Sequence, residues 1–126
     1  MTKQPFQPSA YEASLLLLHL LRARDEEKES ALTRFRVSEL TLKRICCRPR
    51  LHPPFFAELQ DWMFRAGWAL FFADRSYGVI KLESVEAWTR LGSKRIRSDL
   101  DEVAKGSFDF APLAASVSLT PPEQDD

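Results

Sequence analysis

A chain of 126 residues in which 18 basic side chains balance 18 acidic ones has no global charge to draw it towards polyanions. Its 44% hydrophobic and 29% charged residues fit one soluble globular domain, long enough to bury a core without metal or disulfide staples. The two cysteines, Cys46 and Cys47, are adjacent and the two histidines are far apart, which excludes a zinc-ligand spacing and leaves one buried thiol with a free neighbour.

Residues 1–9 are polar, carry two prolines and read as a flexible arm. A first helix is expected over 10–24, running on into the charged stretch at 25–30, with Ser9 as N-cap and Glu12 completing a capping box. Leu15, Leu16, Leu17, Leu18, Leu20 and Leu21 point in nearly every direction around it, more than one core face can absorb. A second copy of the chain is therefore expected against this helix, and His19 is read as a packing residue. The apolar run is too short to cross a membrane and lacks a basic leader, so no membrane partner is expected and the location is cytoplasmic by default.

A second, shorter helix is predicted over 38–46 with Ser38 as N-cap and an end before Pro49. Val37, Leu40, Leu42, Ile45 and Cys46 are expected to share its apolar stripe. A third follows over 53–66. Phe55, Phe56, Leu59, Trp62, Met63 and Ala66 form one stripe at helical spacing, Pro53 and Pro54 suit its first turn, and Gly67 suits a left-handed cap. After Gly67 the period changes to two. Residues 68–73 and 79–83 are read as hairpin strands around a turn at 74–78, with Trp68, Leu70 and Phe72 facing inward alongside Ile80 and Leu82. Ser84 opens a short turn through Trp88. A last helix is expected over 93–105, ended by Gly106, and residues 107–126 form an acidic tail without order at its end.

Helix, helix, turn, helix and hairpin, carried by VSELTLKRI, FFAELQDWMFRAGW and FFADRSYGVIKL, resemble a winged helix-turn-helix domain over residues 10–106. The resemblance implies a mainly α fold with a β-hairpin wing, and binding of double-stranded DNA with the third helix in the major groove. It also implies a transcriptional regulator, a repressor or autoregulator of the kind common on bacterial chromosomes and mobile elements.

Charge distribution agrees with such a use. Between 31 and 52 there are six basic residues against Glu39 alone, and from Asp99 onward seven acids against Lys105. The expected DNA contacts are Arg34, Arg36, Lys43, Arg44, Arg48, Arg50 and His52 before and around the start of the third helix. Gln60 and Arg65 follow on its outward face, with Arg75 and Tyr77 at the wing tip. Gln60 has the geometry to read an adenine edge, whereas Glu58 and Asp61 repel phosphates. Core packing accounts for Phe55, Trp62, Trp68 and Trp88. No nucleophile elbow, phosphate loop, zinc-protease motif or dinucleotide loop is present, so neither an enzyme, a cofactor nor a small-molecule ligand is expected. The alternative is a protein-interaction module that uses the same surface, with Glu58, Asp61 and Phe64 turned to the partner.

Overall fold

The computed structural model describes residues 6–28, 32–120 and 122. Its contacts divide the chain into two units, Met1–Trp88 and Thr89–Asp126. The first contains α1 (Ala10–Lys28), β1 (Arg34–Ser38), α2 (Glu39–Cys46), α3 (Pro53–Arg65), β2 (Trp68–Ala73) and β3 (Ser76–Lys81), followed by a 3-10 turn over Leu82–Ala87. It is a mixed α/β unit, helices on a three-stranded antiparallel sheet of order β1-β3-β2.

Local chemistry sets the helix ends. Ser9 N–H donates to Glu12 Oε1 at 3.0 Å and Glu12 N–H donates to Ser9 Oγ at 3.1 Å, the reciprocal capping box that starts α1. Thr41 N–H donates to Ser38 Oγ at 3.1 Å at the start of α2. That helix ends at Cys47, in the left-handed region with φ 52°, where Arg48 N–H reaches back to the Lys43 carbonyl at 3.0 Å. Gly67, at φ +93°, turns the chain out of α3 into β2.

One face of each element meets in a single core. α1 contributes Ala10, Ala13, Leu17 and Leu21, α2 Leu42, Ile45 and Cys46, α3 Leu59 and Met63, and the sheet Val37, Leu70, Tyr77 and Val79. Truncating Leu59 or Met63, both fully buried, would cost about 2–5 kcal/mol in lost transfer energy and cavity. Leu15, Leu16 and Leu20 remain exposed on α1, and His19 is exposed among them.

Three local expectations are corrected. Residues 34–38 form a strand, so Val37 joins the core from β1, and Leu40 is exposed on α2. The hairpin tip is Asp74-Arg75 alone, since Ala73 pairs with Ser76; Arg75 N–H closes it onto the Ala73 carbonyl at 2.9 Å. Shortening the turn resets the register of β3, and a one-residue slip moves every side chain to the other face. Val79 and Tyr77 therefore face inward opposite Leu70 and Phe72, while Ile80 faces outward opposite Ala69. Trp88 is exposed rather than packed in the core.

The second unit holds α4 (Arg97–Ala104), ended by Gly106 at φ +75°, and a short α5 (Ala111–Ser116) where no helix was expected. α4 starts four residues later than predicted, after a turn over 93–96. None of this unit's described residues is buried. The unit boundary falls between Trp88 and Thr89, where the sequence suggested one at 106. Residues 1–5 of the expected arm, and 121 and 123–126 of the acidic tail, lie outside the described residues. Among the described residues no helix is long and apolar enough to cross a membrane.

Candidate nucleic-acid interface

The expected contacts separate into four groups. Arg44, Arg50 and His52 are exposed along the last turn of α2 and the loop leading to α3, with Arg75 exposed at the hairpin tip. Among the described residues their side chains make no hydrogen bond or ion pair, so the three arginines carry uncompensated charge. The hairpin is held beside the first turn of α3 by tilted ring contacts: Tyr77 lies 5.3 Å from Phe56 and 5.3 Å from Phe72, centroid to centroid.

Arg34 and Arg36 belong to another surface. In β1 they alternate with Phe35 and Val37, which face the core, so both guanidinium groups stand on the outer face of the sheet, away from α3. They too have no hydrogen-bond or ion-pair partner among the described residues.

A third group is neutralised within the fold. Lys43 pairs with Glu39 at 3.0 Å, and Arg65 pairs with Asp61 at 3.0 Å while lying over the Trp62 ring. Both are i,i+4 pairs on helix surfaces, worth about 0.3–0.5 kcal/mol each.

The fourth group points inward. Arg48 Nη1 donates to the Pro8 carbonyl at 2.6 Å and to the Cys46 carbonyl at 3.0 Å, and the guanidinium sits 3.8 Å from the centre of the Phe55 ring. Gln7 adds a bond from Nε2 to the Cys47 carbonyl at 3.3 Å, and Pro8 is buried, so this part of the expected arm is fastened to the α2–α3 loop. Gln60 is half-buried and donates from Nε2 to the Leu70 carbonyl at 2.9 Å, tying α3 to β2 instead of facing outward. Tyr77, expected at the tip, is buried two residues beyond it, and burial, followed by the nearby Glu39 carboxylate, raises its phenol pKa.

The outward face of α3 thus presents Ala57, Glu58, Asp61, Phe64 and Arg65, with Phe64 61% exposed and the single cation already paired. Its first turn is poor in donors as well: Pro53 and Pro54 have no N–H, and Phe56 N–H is taken by the His52 carbonyl at 2.9 Å. Between α3 and the hairpin runs an open apolar cleft lined by Leu51, Pro53, Phe56, Phe72 and Tyr77, with Glu39 and Gln60 as its polar members.

Cys46 is fully buried and Cys47 exposed, as their positions on α2 suggested. Burial pushes the Cys46 thiol from 9.0 up to about 11, outweighing the opposite pull of Arg48. Among the described residues no cluster of His, Cys, Asp and Glu is arranged to hold a metal ion. A smaller pocket between the end of α1, β1 and the sheet edge is walled by Leu18, Leu21, Phe35 and Trp68. Of its three charged members, Asp25 and Lys81 are already engaged, by Leu32 N–H at 2.6 Å and by Glu83 at 3.1 Å, and Arg22 is the third.

The sequence did not single out Phe71 and Gly78. They face each other across β2 and β3, and a Cβ on Gly78 would lie 2.6 and 2.7 Å from Cε2 and Cε1 of the Phe71 ring. The signal was a glycine in the middle of a strand, which marks close approach by a neighbour. No protein-family model, curated protein or solved structure matches this chain.

Proposed function

We propose that the first unit is a winged helix-turn-helix domain that binds duplex DNA, acting as a transcriptional repressor or autoregulator. The element order α-β-α-α-β-β and the sheet order β1-β3-β2 support this reading of the fold. The observation that carries the DNA assignment is the set of three uncompensated arginines, Arg44 and Arg50 at the approach to α3 and Arg75 at the hairpin tip. Cations at a helix approach and at a wing tip are placed to grip the phosphates on either side of a groove. Affinity rests on those phosphate contacts, with Glu58 and Asp61 limiting how deeply α3 enters. A second copy, docked through the exposed Leu16 and Leu20 one turn apart on α1, doubles the cation count and supplies the second half-site.

The test is electrophoretic mobility shift against a genomic fragment library, followed by the Arg44→Gln/Arg50→Gln double variant on any selected duplex. Selective retention of a duplex that the double variant releases supports the reading. Equal retention of every fragment by both proteins contradicts it.

One observation favours a second reading. The cleft beside α3 is lined by Phe56, Phe72 and Tyr77, with Phe72 57% exposed, and the neighbouring face of α3 carries Glu58, Asp61 and Phe64. Exposed aromatics with acids at the rim suit a protein segment better than a phosphate backbone. Phe72→Ala distinguishes the two: it leaves duplex binding intact on the first reading and abolishes capture of the protein partner on the second.

A further inference from the structure

The outer face of the sheet has no role in the reading above, and its composition is unlike that of a passive solvent face. Register places Arg36, Gly78 and Phe71 in one row across the three strands, and Arg34, Ile80 and Ala69 in the next. The chain returns after the 3-10 turn to add Trp88, and these residues, Ala69 apart, line one shallow groove. Phe71 leans across Gly78 into the space a side chain there would fill, so the ring is laid along the sheet instead of standing off it. Even so, Phe71 is 46% exposed and Trp88 56% exposed. Two large aromatics left open to water beside two unpaired arginines, with no carboxylate in the lining, need a ligand that is flat, apolar in part and anionic.

We propose that this face binds single-stranded nucleic acid, with bases stacking on Phe71 and Trp88 and the sugar-phosphate backbone following Arg34 and Arg36. The two arginines are two residues apart on one strand, about 6.6 Å, within reach of successive phosphates of an extended strand. Charge selects the occupant: a second copy docked through this same face, or an apolar protein segment, would meet two guanidinium groups without an acid to offset them. Aromatic platforms flanked by cations hold single strands through base faces, which every base presents, so sequence preference is weak. Stacking on base faces and contact with phosphates are common to ribose and deoxyribose strands, so both are expected to bind. Gly78 is the residue that permits the platform, because any larger side chain lifts the Phe71 ring. The site is independent of the duplex reading, since it uses neither α3, the α2–α3 loop nor the hairpin tip.

The experiment is fluorescence anisotropy of the full chain with labelled oligothymidylate and oligouridylate of about 15 nucleotides, the upper range for one such platform. Phe71→Ala is expected to weaken binding of both by about ten-fold or more. Arg34→Gln/Arg36→Gln, which changes only exposed side chains, is expected to reduce the log–log salt slope by about 1.4, at 0.7 per phosphate. Arg44→Gln/Arg50→Gln should leave single-strand affinity unchanged. Failure of the wild-type chain to bind either oligonucleotide overturns the proposal, as does wild-type affinity in both Phe71→Ala and the Arg34/Arg36 variant. It is also overturned if the Arg44/Arg50 variant loses single strands, or if Phe71→Ala changes only the sedimenting mass, the result of a second copy on this face.

Discussion

Replacing Arg48 with alanine tests whether a basic loop residue serves the fold or a ligand. The guanidinium makes two charge-assisted bonds, to the carbonyls of Pro8 and Cys46, and lies over the Phe55 ring. Each bond is worth about 1–1.5 kcal/mol once partial exposure is allowed for, and the ring contact adds about 0.5 kcal/mol. Arg48→Ala should therefore destabilise the chain by about 3 kcal/mol, which for a unit of this size lowers Tm by more than about 10 °C. Arg50→Ala, two residues on and exposed, should stay within about 0.5 kcal/mol of wild type. Urea denaturation of both variants measures the difference. A chain that begins at Ser9 lacks the Pro8 carbonyl, so there the cost of Arg48→Ala should shrink by about half. Equal stability of Arg48→Ala and Arg50→Ala, or an undiminished cost in the shortened chain, would refute the clamp.

Gln60→Ala should cost about 1 kcal/mol by freeing the Leu70 carbonyl, while duplex affinity, measured by anisotropy, stays unchanged; a large loss of affinity would return Gln60 to the interface. The Cys46 thiol keeps its proton to about pH 11 when folded but loses it near 9.0 when unfolded. The unfolded chain thus binds fewer protons between those values, and stability should fall as pH rises from 9 to 11, by about 1.4 kcal/mol per unit. Urea titrations across that range check the slope, and a flat profile contradicts it. At pH 8 a thiol reagent should label Cys47 quickly and Cys46 only on unfolding. Leu16→Lys/Leu20→Lys should give a monomer in sedimentation equilibrium whose thermal midpoint no longer rises with protein concentration; an unaltered mass would remove α1 from the subunit contact.

Much of the first unit was legible because its signals are local. The Ser9–Glu12 box, the Ser38 cap, the left-handed Gly67 and the apolar stripe of α3 each depend on residues within a few positions of one another. β1 was missed although Arg34-Phe35-Arg36-Val37 alternates with period two, because two arginines in a basic stretch read as a solvated approach to a helix. Those charges are tolerable because β1 is an edge strand with one face in water. The phase of β3 depended on turn length, and the composition at 74–78 fits a five-residue turn as well as the observed pair. The fates of Arg48 and Gln60 were not readable locally. Their acceptors are backbone carbonyls 40 and 10 positions away, and any residue type supplies a carbonyl. Of the predicted contacts, the structure leaves Arg44, Arg50, His52 and Arg75 around α3 and moves Arg34 and Arg36 to the other face.

The most direct measurement of the central claim is the salt dependence of duplex binding by the wild-type chain and by Arg44→Gln/Arg50→Gln. Three free arginines per protomer predict a log–log slope of about −2.7 for one protomer and about −5 for two, and the double variant should lose about 1.8 per protomer. A wild-type chain without a salt slope, or a double variant with the same slope, would contradict the assignment of this surface to DNA.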